Sequence, residues 1–222
     1  MMTNLFSTFD PATSTHLSLN WLSTFMIFLI LPFSYWLLPS KIMMIKIKLI
    51  NLMLKELKTL LSNKMKGFTI LPMTLFLFIL INNLLGLMPY IFTSSSHMTF
   101  TLTLALPLWM SLMLYGWINN MNDMFAHLLP AGTPAMLMPF MVIIETLSNL
   151  IRPGALAVRL MANMIAGHLL MSLLGNNSTT FSMALPMILT IQLTLMMFET
   201  AVSIIQAYVF SILMTLYTSE LN

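Results

Sequence analysis

The stretch "PAMLMPFMVIIETLSNLIRPGALAVRLMANMIAGHLLMSLL", residues 134–174, decides the fold because it is too long for one upright membrane crossing. As a straight helix it would be about 60 Å long, whereas the hydrocarbon core of a bilayer is about 30 Å thick. A second apolar run, residues 181–217, follows the turn-like "GNNSTT" at 175–180. Only "RPG" at 152–154 could break the first run, and the second contains no polar turn. We therefore predict two long helices that form a steeply tilted antiparallel hairpin.

The composition indicates the class of protein around this hairpin. Hydrophobic residues make up 59% of the 222 residues, and charged residues make up 7%, whereas an average soluble domain is about 25% charged. We expect an all-α polytopic membrane protein, organised as a single membrane domain over residues 1–222. The length allows about five to seven helical crossings.

The sequence also argues against several kinds of chemistry. It contains no cysteine, which excludes disulfides, cysteine-based zinc sites and thiol chemistry. The four histidines lack a metal-ligand spacing, and there is no glycine-rich phosphate loop. We therefore expect no metal, no cofactor and no catalytic site for nucleotide chemistry.

Three further apolar segments are long enough to cross a membrane: residues 17–38, 68–92 and 98–118. A short polar turn around Ser94 to His97 joins the last two. A polar connector over residues 119–133 then leads to the hairpin.

Residues 41–66 carry seven of the nine basic residues, all of them lysines. Five of these lysines fall on one arc and leave a broad apolar face, a pattern typical of an amphipathic helix on the membrane surface. The positive-inside rule puts this helix on the side of synthesis and the N-terminus on the other side. The helix is either a topology anchor or a dock for further subunits, and its charge indicates topology rather than nucleic-acid binding. Residues 1–16 contain no Lys or Arg, so we expect no secretory signal or transit peptide.

Four charged residues lie within the long apolar runs: Glu145, Arg152, Arg159 and Glu199. An Asp, Lys or Arg at the centre of a membrane helix costs about 2.5–3.5 kcal/mol, so these charges need an explanation. Two explanations remain open. The charged residues form structural ion pairs that hold the hairpin together, or they belong to an ion pathway.

Spacing relates these groups to one another. Glu145, Arg152 and Arg159 recur every seven residues and so share one helical stripe, which Asn163 joins four residues later. His168 is nine residues from Arg159, on the opposite side of the helix, where it either packs or serves a separate water-filled path. Small residues allow another helix to approach Arg159 closely; they are Ala155, Ala157, Ala162, Ala166 and Gly167.

The second long run places Glu199 and Gln206 seven residues apart on one face. Arginine cannot release its proton in a protein, so Arg159 is a fixed cation, whereas Glu145, His168 and Glu199 can titrate. A fixed cation flanked by titratable groups suits a specific role, in which it blocks direct proton flow and strips a proton from a carboxylate brought near it. That carboxylate must come from another subunit.

Several ordered motifs carry a resemblance to a known family. "PFMVIIETLSNLIRPGALAVRL", "ALAVRLMANMIAGHLL" and "ETAVSIIQAYVFSILMTLY" closely resemble subunit a of the F-type ATP synthase in its mitochondrial form. "FAHLLPAGTP" and "LINNLLGLMPY" extend the similarity over most of residues 68–220. The 25 methionines are similar to arthropod mitochondrially encoded versions.

The resemblance implies a stator subunit that is not catalytic on its own. Two offset half-channels would connect carboxylates of a rotating c-ring to the two sides of the membrane, and so couple the proton gradient to ATP synthesis. The implied partners are the c-ring, peripheral-stalk and other small membrane subunits, lipid and protons. The implied location is the mitochondrial inner membrane, with the N-terminus on the intermembrane-space side and helix 41–66 on the matrix side.

The resemblance also implies roles for individual residues. Arg159 looks like the essential arginine that faces the ring, with Asn163 and Gln206 as polar neighbours. His168 and Glu199 look like the inlet pair on the intermembrane side. The implied outlet residue on the matrix side is Glu145.

Three positions depart from other members of the family or carry a weaker signal. Bacterial relatives typically have an acid at the position of His168 and a histidine at that of Glu199, so the pair is exchanged here. Many relatives have an uncharged residue in place of Arg152, which we expect to pair with Glu145. Glu220, at the end of the chain, is a secondary candidate for the channel, as is Arg152.

Two alternative functions belong to other classes. A secondary transporter would require inverted repeats and broken helices, and the sequence shows no repeated halves. A non-conducting scaffold subunit of a respiratory complex would use the charges only as structural pairs.

Overall fold

The computed structural model describes residues 4–14, 16–32, 37–61, 67–129, 134–180 and 185–220. Within these ranges the chain is helical apart from its connections, and it contains no strand. The α-helices are α1 (Met26–Ile30), α2 (Lys41–Leu60), α3 (Ile70–Gly86), α4 (Met98–Asn119), α5 (Met121–His127), α6 (Met138–Thr180) and α7 (Leu185–Glu220). Short 3-10 turns cover Leu5–Phe9, Leu19–Phe25, Ser94–Ser96 and Ala135–Leu137.

Three of the described helices are long and apolar enough to cross a membrane: Met98–Asn119, Met138–Ser178 and Leu185–Ser219. The predicted class, an all-α polytopic membrane protein, is confirmed. The tilt of the hairpin relative to a membrane stays a prediction.

Each long apolar run is one helix, as its length predicts. Helix α6 contains 43 residues and α7 contains 36, which corresponds to about 65 and 54 Å at 1.5 Å per residue. Pro153 lies inside α6 without ending it, since a proline removes one backbone hydrogen bond while packing on the neighbouring helices maintains the rest. The two helices run antiparallel, because Gly167 meets Glu199 and Arg152 meets Tyr217.

The predicted turn at 175–180 is wrong, because α6 continues to Thr180. One glycine costs a helix only about 1 kcal/mol, and the hydroxyl of Ser178 donates to the Gly175 carbonyl oxygen at 2.6 Å, a bond that suits a helix. The connection between α6 and α7 therefore falls later than predicted, at residues 181–184, which lie outside the described residues.

Among its described residues, the predicted first span, 17–38, is helical over Leu19–Ile30. Leu31 has an extended backbone (φ −66°, ψ 117°), as expected for a residue that precedes a proline. Residues 33–36 lie outside the described residues. Helix α3 likewise covers only Ile70–Gly86 of the predicted 68–92, whereas α4 matches the predicted 98–118 to within one residue.

Helix α2 begins after Ser40, whose side chain accepts a hydrogen bond from the Met43 backbone N–H. Part of its apolar face turns inward, where Met53 and Leu57 are buried, whereas the apolar Ile42, Ile45 and Leu52 are exposed. Its lysines at 41, 48, 55 and 58 are exposed as well. The predicted amphipathic character is thus confirmed. Residues 62–66, the end of the predicted helix, lie outside the described residues.

The core lies where α2, α3, α4, α6 and α7 meet. Helix α3 packs along α7, and α4 packs along α6. The buried cluster consists of Met53, Leu57, Met73, Phe76, Ile79, Ala105, Leu156, Ala157, Leu160, Ala207 and Phe210. Most remaining apolar side chains of α6 and α7 point outward, which suits contact with lipid or with other membrane subunits.

Candidate functional site

Arg159 lies on the outward face of α6. It is exposed, as are Ala155, Val158 and Ala162 around it. Among the described residues it has no acidic partner within ion-pair distance. Of the small residues predicted to thin this helix, Ala155, Ala162 and Ala166 are exposed and leave room beside Arg159, whereas Ala157 and Gly167 are buried on the inner side of α6.

Asn163 and Gln206, the predicted polar neighbours of Arg159, are both half-buried on the hairpin. Gln206 adjoins Ala207, which is fully buried and belongs to the same core cluster as Ala157 and Leu160. This packing puts Gln206 and Arg159 at the same level of the hairpin.

Glu199 is buried, with 9% of its surface exposed. Its carboxyl group lies against the backbone of Gly167, so that a Cβ at Gly167 would stand 2.6 Å from Glu199 Cδ and Oε1. Both carboxyl oxygens are buried without a hydrogen-bond partner among the described residues. Sequence reasoning placed Gly167 among residues that thin the helix but did not connect it to Glu199.

His168 follows Gly167, so the hairpin brings the predicted inlet pair to the same end; we call it the His168 end. The ring of Phe9, from the N-terminal 3-10 turn, meets the His168 imidazole edge to face at a centroid distance of 6.3 Å. Within the described part of the chain, His168 Nε2 is buried without a partner.

Helix α3 contributes two asparagines to this end that sequence reasoning missed. Asn83 Nδ2 donates to the Ser203 carbonyl oxygen at 3.5 Å, one helical turn from Glu199. Asn83 Oδ1 and Asn82 Nδ2 are buried and lack partners in the described ranges. The feature of the sequence that could have indicated these residues is a pair of amides in an otherwise apolar helix.

The turn at residues 93–97 also belongs to this end, although its sequence suggested a simple polar connection. Thr93 packs on Gly86, and Ser94, Ser95 and Ser96 are each at most 3% exposed. Ser95 Oγ is buried and has no partner among the described residues. The four consecutive hydroxyl residues at 93–96 could have indicated this buried polar cluster.

His97 closes the turn between two aromatic rings. The centroids of Trp21 and Phe92 each lie 5.2 Å from that of the imidazole. Its Nε2 atom is also buried and without a partner in the described chain. Seven of the eight such atoms in the described residues lie at the His168 end, and the eighth is Trp109 Nε1.

The opposite end of the hairpin holds Glu145, and we call it the Glu145 end. The predicted pair is confirmed: Arg152 Nη2 is 3.6 Å from Glu145 Oε1. The Arg152 guanidinium also lies 5.4 Å from the centroid of the Tyr217 ring. Glu220 ends α7, and its side chain lies outside the described part of the structure.

Two cavities meet at this end. A groove of about 490 Å³ contains Arg159, Arg152, Ser148 and Tyr217 in its lining. A second cavity of about 510 Å³ lies between α4, α5 and α6 and is lined by Glu145, Arg152 and Tyr217 together with apolar residues. No group of three or more His, Cys, Asp or Glu residues among those described could hold a metal ion.

Fold and site together define a polytopic helical membrane protein with an outward-facing arginine and a buried acid. The profile of the family described as "ATP synthase A chain" matches residues 16–219. Proteins called "ATP synthase subunit a" are 59% identical in Anopheles quadrimaculatus and 58% in Drosophila simulans, over the full length of both chains in each comparison. One from Locusta migratoria is 57% identical over 99% of each chain.

The chain therefore belongs to the ATP synthase A chain family, the proton-channel subunits of the membrane sector of F-type ATP synthases. The resemblance seen in the sequence is confirmed, and the transporter and scaffold alternatives are set aside. It is a membrane protein and a subunit of a larger complex.

Proposed function

We propose that this chain is the proton-translocating stator subunit of the mitochondrial ATP synthase. Two offset half-channels pass protons to and from the carboxylates of a rotating c-ring, and Arg159 separates them. The chain makes no ATP itself, because nucleotide chemistry belongs to its partners.

The observation that carries the proposal is the exposure of Arg159 without an acidic partner in the described chain. A permanent cation in a membrane protein requires an opposite charge or water. The other in-membrane acids are engaged elsewhere, Glu145 with Arg152 and Glu199 against Gly167. A carboxylate presented by another subunit is the partner that suits Arg159.

The polar atoms at the His168 end support an inlet half-channel. Buried polar groups in proteins are satisfied by protein or by water, and these groups have no protein partner in the described residues. Water that joins Asn83, Ser95 and His97 would give protons a route to Glu199 and His168. Glu199 would then pass each proton to a ring carboxylate.

The cavities at the Glu145 end support an outlet half-channel there. The groove that begins at Arg159 continues to Arg152 and Tyr217, beside Glu145. Because Arg159 cannot release its proton, a proton crosses only by riding the ring from one half-channel to the other. Each charge that crosses the field contributes about 2.3 kcal/mol per 100 mV.

The same proposal identifies what surrounds this chain in the membrane. The outward face around Arg159 meets the c-ring, and the remaining outer surface meets lipid, peripheral-stalk and other small membrane subunits. The location is the mitochondrial inner membrane, as the insect relatives suggest. The lysine-rich α2 lies on the matrix side and the N-terminus on the intermembrane-space side.

The test is ATP-driven proton pumping by the assembled complex with Arg159→Ala. We expect pumping to fall to background, because the half-channels lose the charge that separates them. Val158→Ala, at the neighbouring position, which is also exposed, is the matched control and should pump normally. Normal pumping by a verified Arg159→Ala complex would refute the proposal.

A further inference from the structure

Two arginines line one groove. Arg152 and Arg159 both border the groove of about 490 Å³ between α6 and α7. They are seven positions apart, which is about 10 Å along a helix. If Arg159 is the docking point for ring carboxylates, as proposed above, Arg152 is a second cation within the same groove.

A second equivalent cation in this groove would interfere with the binding of a ring carboxylate at Arg159. Neither guanidinium can be neutralised by loss of its proton. A carboxylate entering the groove would therefore have two attractive positions instead of one, and the wrong one would hold the ring out of step.

The two arginines have different surroundings in the structure. Arg152 is 27% exposed and is held between an acid 3.6 Å away and the face of an aromatic ring. The acid, Glu145, neutralises the charge, and the ring of Tyr217 fixes the guanidinium plane through a cation–π contact at 5.4 Å. Arg159 is exposed and has no acid within ion-pair distance among the described residues.

We propose that Glu145 and Tyr217 are positioning residues that neutralise and hold Arg152, which leaves Arg159 as the one uncompensated cation of this groove among the described residues. This inference rests on the proposed function. It gives Glu145 a role in addition to that of an outlet residue, and it gives Arg152 and Tyr217 defined parts.

The test is a double-mutant cycle in the assembled complex, with ATP-driven proton pumping as the measurement. The variants are Glu145→Gln, Arg152→Gln and the two combined. We expect Glu145→Gln to reduce pumping about tenfold, because it leaves Arg152 uncompensated, and Arg152→Gln to reduce it less. The combined variant should recover most of the loss, to within about threefold of the unmodified complex.

A role for Glu145 only as a proton carrier predicts no such rescue, and a purely structural role of the pair predicts a lower yield of assembled complex with normal pumping per complex. If the combined variant pumps as slowly as Glu145→Gln, the inference is overturned. That failure is separate from failure of the proposed function, which depends on Arg159→Ala.

A second series covers the case in which Glu145→Gln does not assemble. Tyr217→Leu removes the cation–π contact, whereas Tyr217→Phe preserves an aromatic face. We expect Tyr217→Leu to slow pumping several-fold more than Tyr217→Phe in the presence of Arg152, and equally little in an Arg152→Gln background. The same difference in both backgrounds would overturn the inference. Tyr115→Phe, at an exposed position of α4, is the control for the loss of a hydroxyl group.

Discussion

The two ends of the hairpin accommodate charged and polar side chains in different ways. At the His168 end the rest of the chain covers the polar groups: α3, the turn at 93–97 and the N-terminal 3-10 turn pack over Glu199 and His168. At the Glu145 end, Glu145 and Arg152 pair within α6 and Arg159 lies exposed nearby, and all three border open cavities.

Under the proposed function, this difference indicates which of the two half-channels this chain encloses by itself. An enclosed path needs several helices from one subunit, and the His168 end has them. The groove at the Glu145 end is open on the Arg159 side, so a partner must supply its remaining wall. We therefore expect substitutions at the His168 end to act within this subunit and those at the Glu145 end to depend on the ring.

The largest effect is expected for Glu199→Gln, which removes the buried acid of the enclosed end but maintains its shape. ATP-driven pumping and ATP synthesis by the assembled complex should fall to background, because an amide cannot carry the proton. Glu56→Gln on α2, where the acid accepts a hydrogen bond from Tyr208 at the surface, should retain most activity. Pumping by Glu199→Gln at the normal rate would mean that the enclosed end is not a proton path.

Gly167→Ala tests the fit between α6 and the Glu199 side chain. The added Cβ would lie 2.6 Å from the carboxyl group, which must move, and a small misplacement of a reacting group is costly. We expect about a tenfold loss of pumping at equal assembly. Gly175→Ala is the matched control on the same helix, since its Cβ meets nothing within 4 Å. Equal pumping by the two variants would contradict the role given to Gly167.

Asn83→Leu tests whether the amides of α3 hold water on the proposed proton path or only pack. The substitution maintains bulk but removes a hydrogen-bonding group from the proposed water path. We expect a several-fold decrease in pumping, smaller than that for Glu199→Gln because neighbouring polar groups remain. Asn119→Leu, at the exposed end of α4, should have no effect. Normal pumping by Asn83→Leu would shift the path away from α3.

Phe9→Leu should have the smallest effect, about a twofold decrease in pumping, since the edge-to-face contact with the His168 ring contributes about 0.5–1.5 kcal/mol. Phe6→Leu in the same 3-10 turn is the control, because Phe6 is 68% exposed. A larger loss for Phe6→Leu than for Phe9→Leu would show that the turn does not act through His168.

The sequence predicted the features of the hairpin that depend on distance along one helix. The length of the apolar runs indicated two long helices, and the seven-residue spacing predicted the pair between Arg152 and Glu145. Contacts between helices could not be predicted in this way, because they depend on how the helices are aligned. Gly167 against Glu199 and Asn83 against Ser203 are examples, and so is the burial of Ser94 to Ser96 beneath α6.

The most direct test of the central claim measures whether water enters the enclosed His168 end. The chain has no cysteine, so single cysteines can be introduced at Ser95 and Ile79, which are both 1% exposed. In the assembled complex, with the unmodified complex as background, a small water-soluble thiol reagent should modify Ser95→Cys but not Ile79→Cys, and modification should block pumping. If Ser95→Cys is as unreactive as Ile79→Cys, the buried polar groups do not form a water path, and the account of the inlet is wrong.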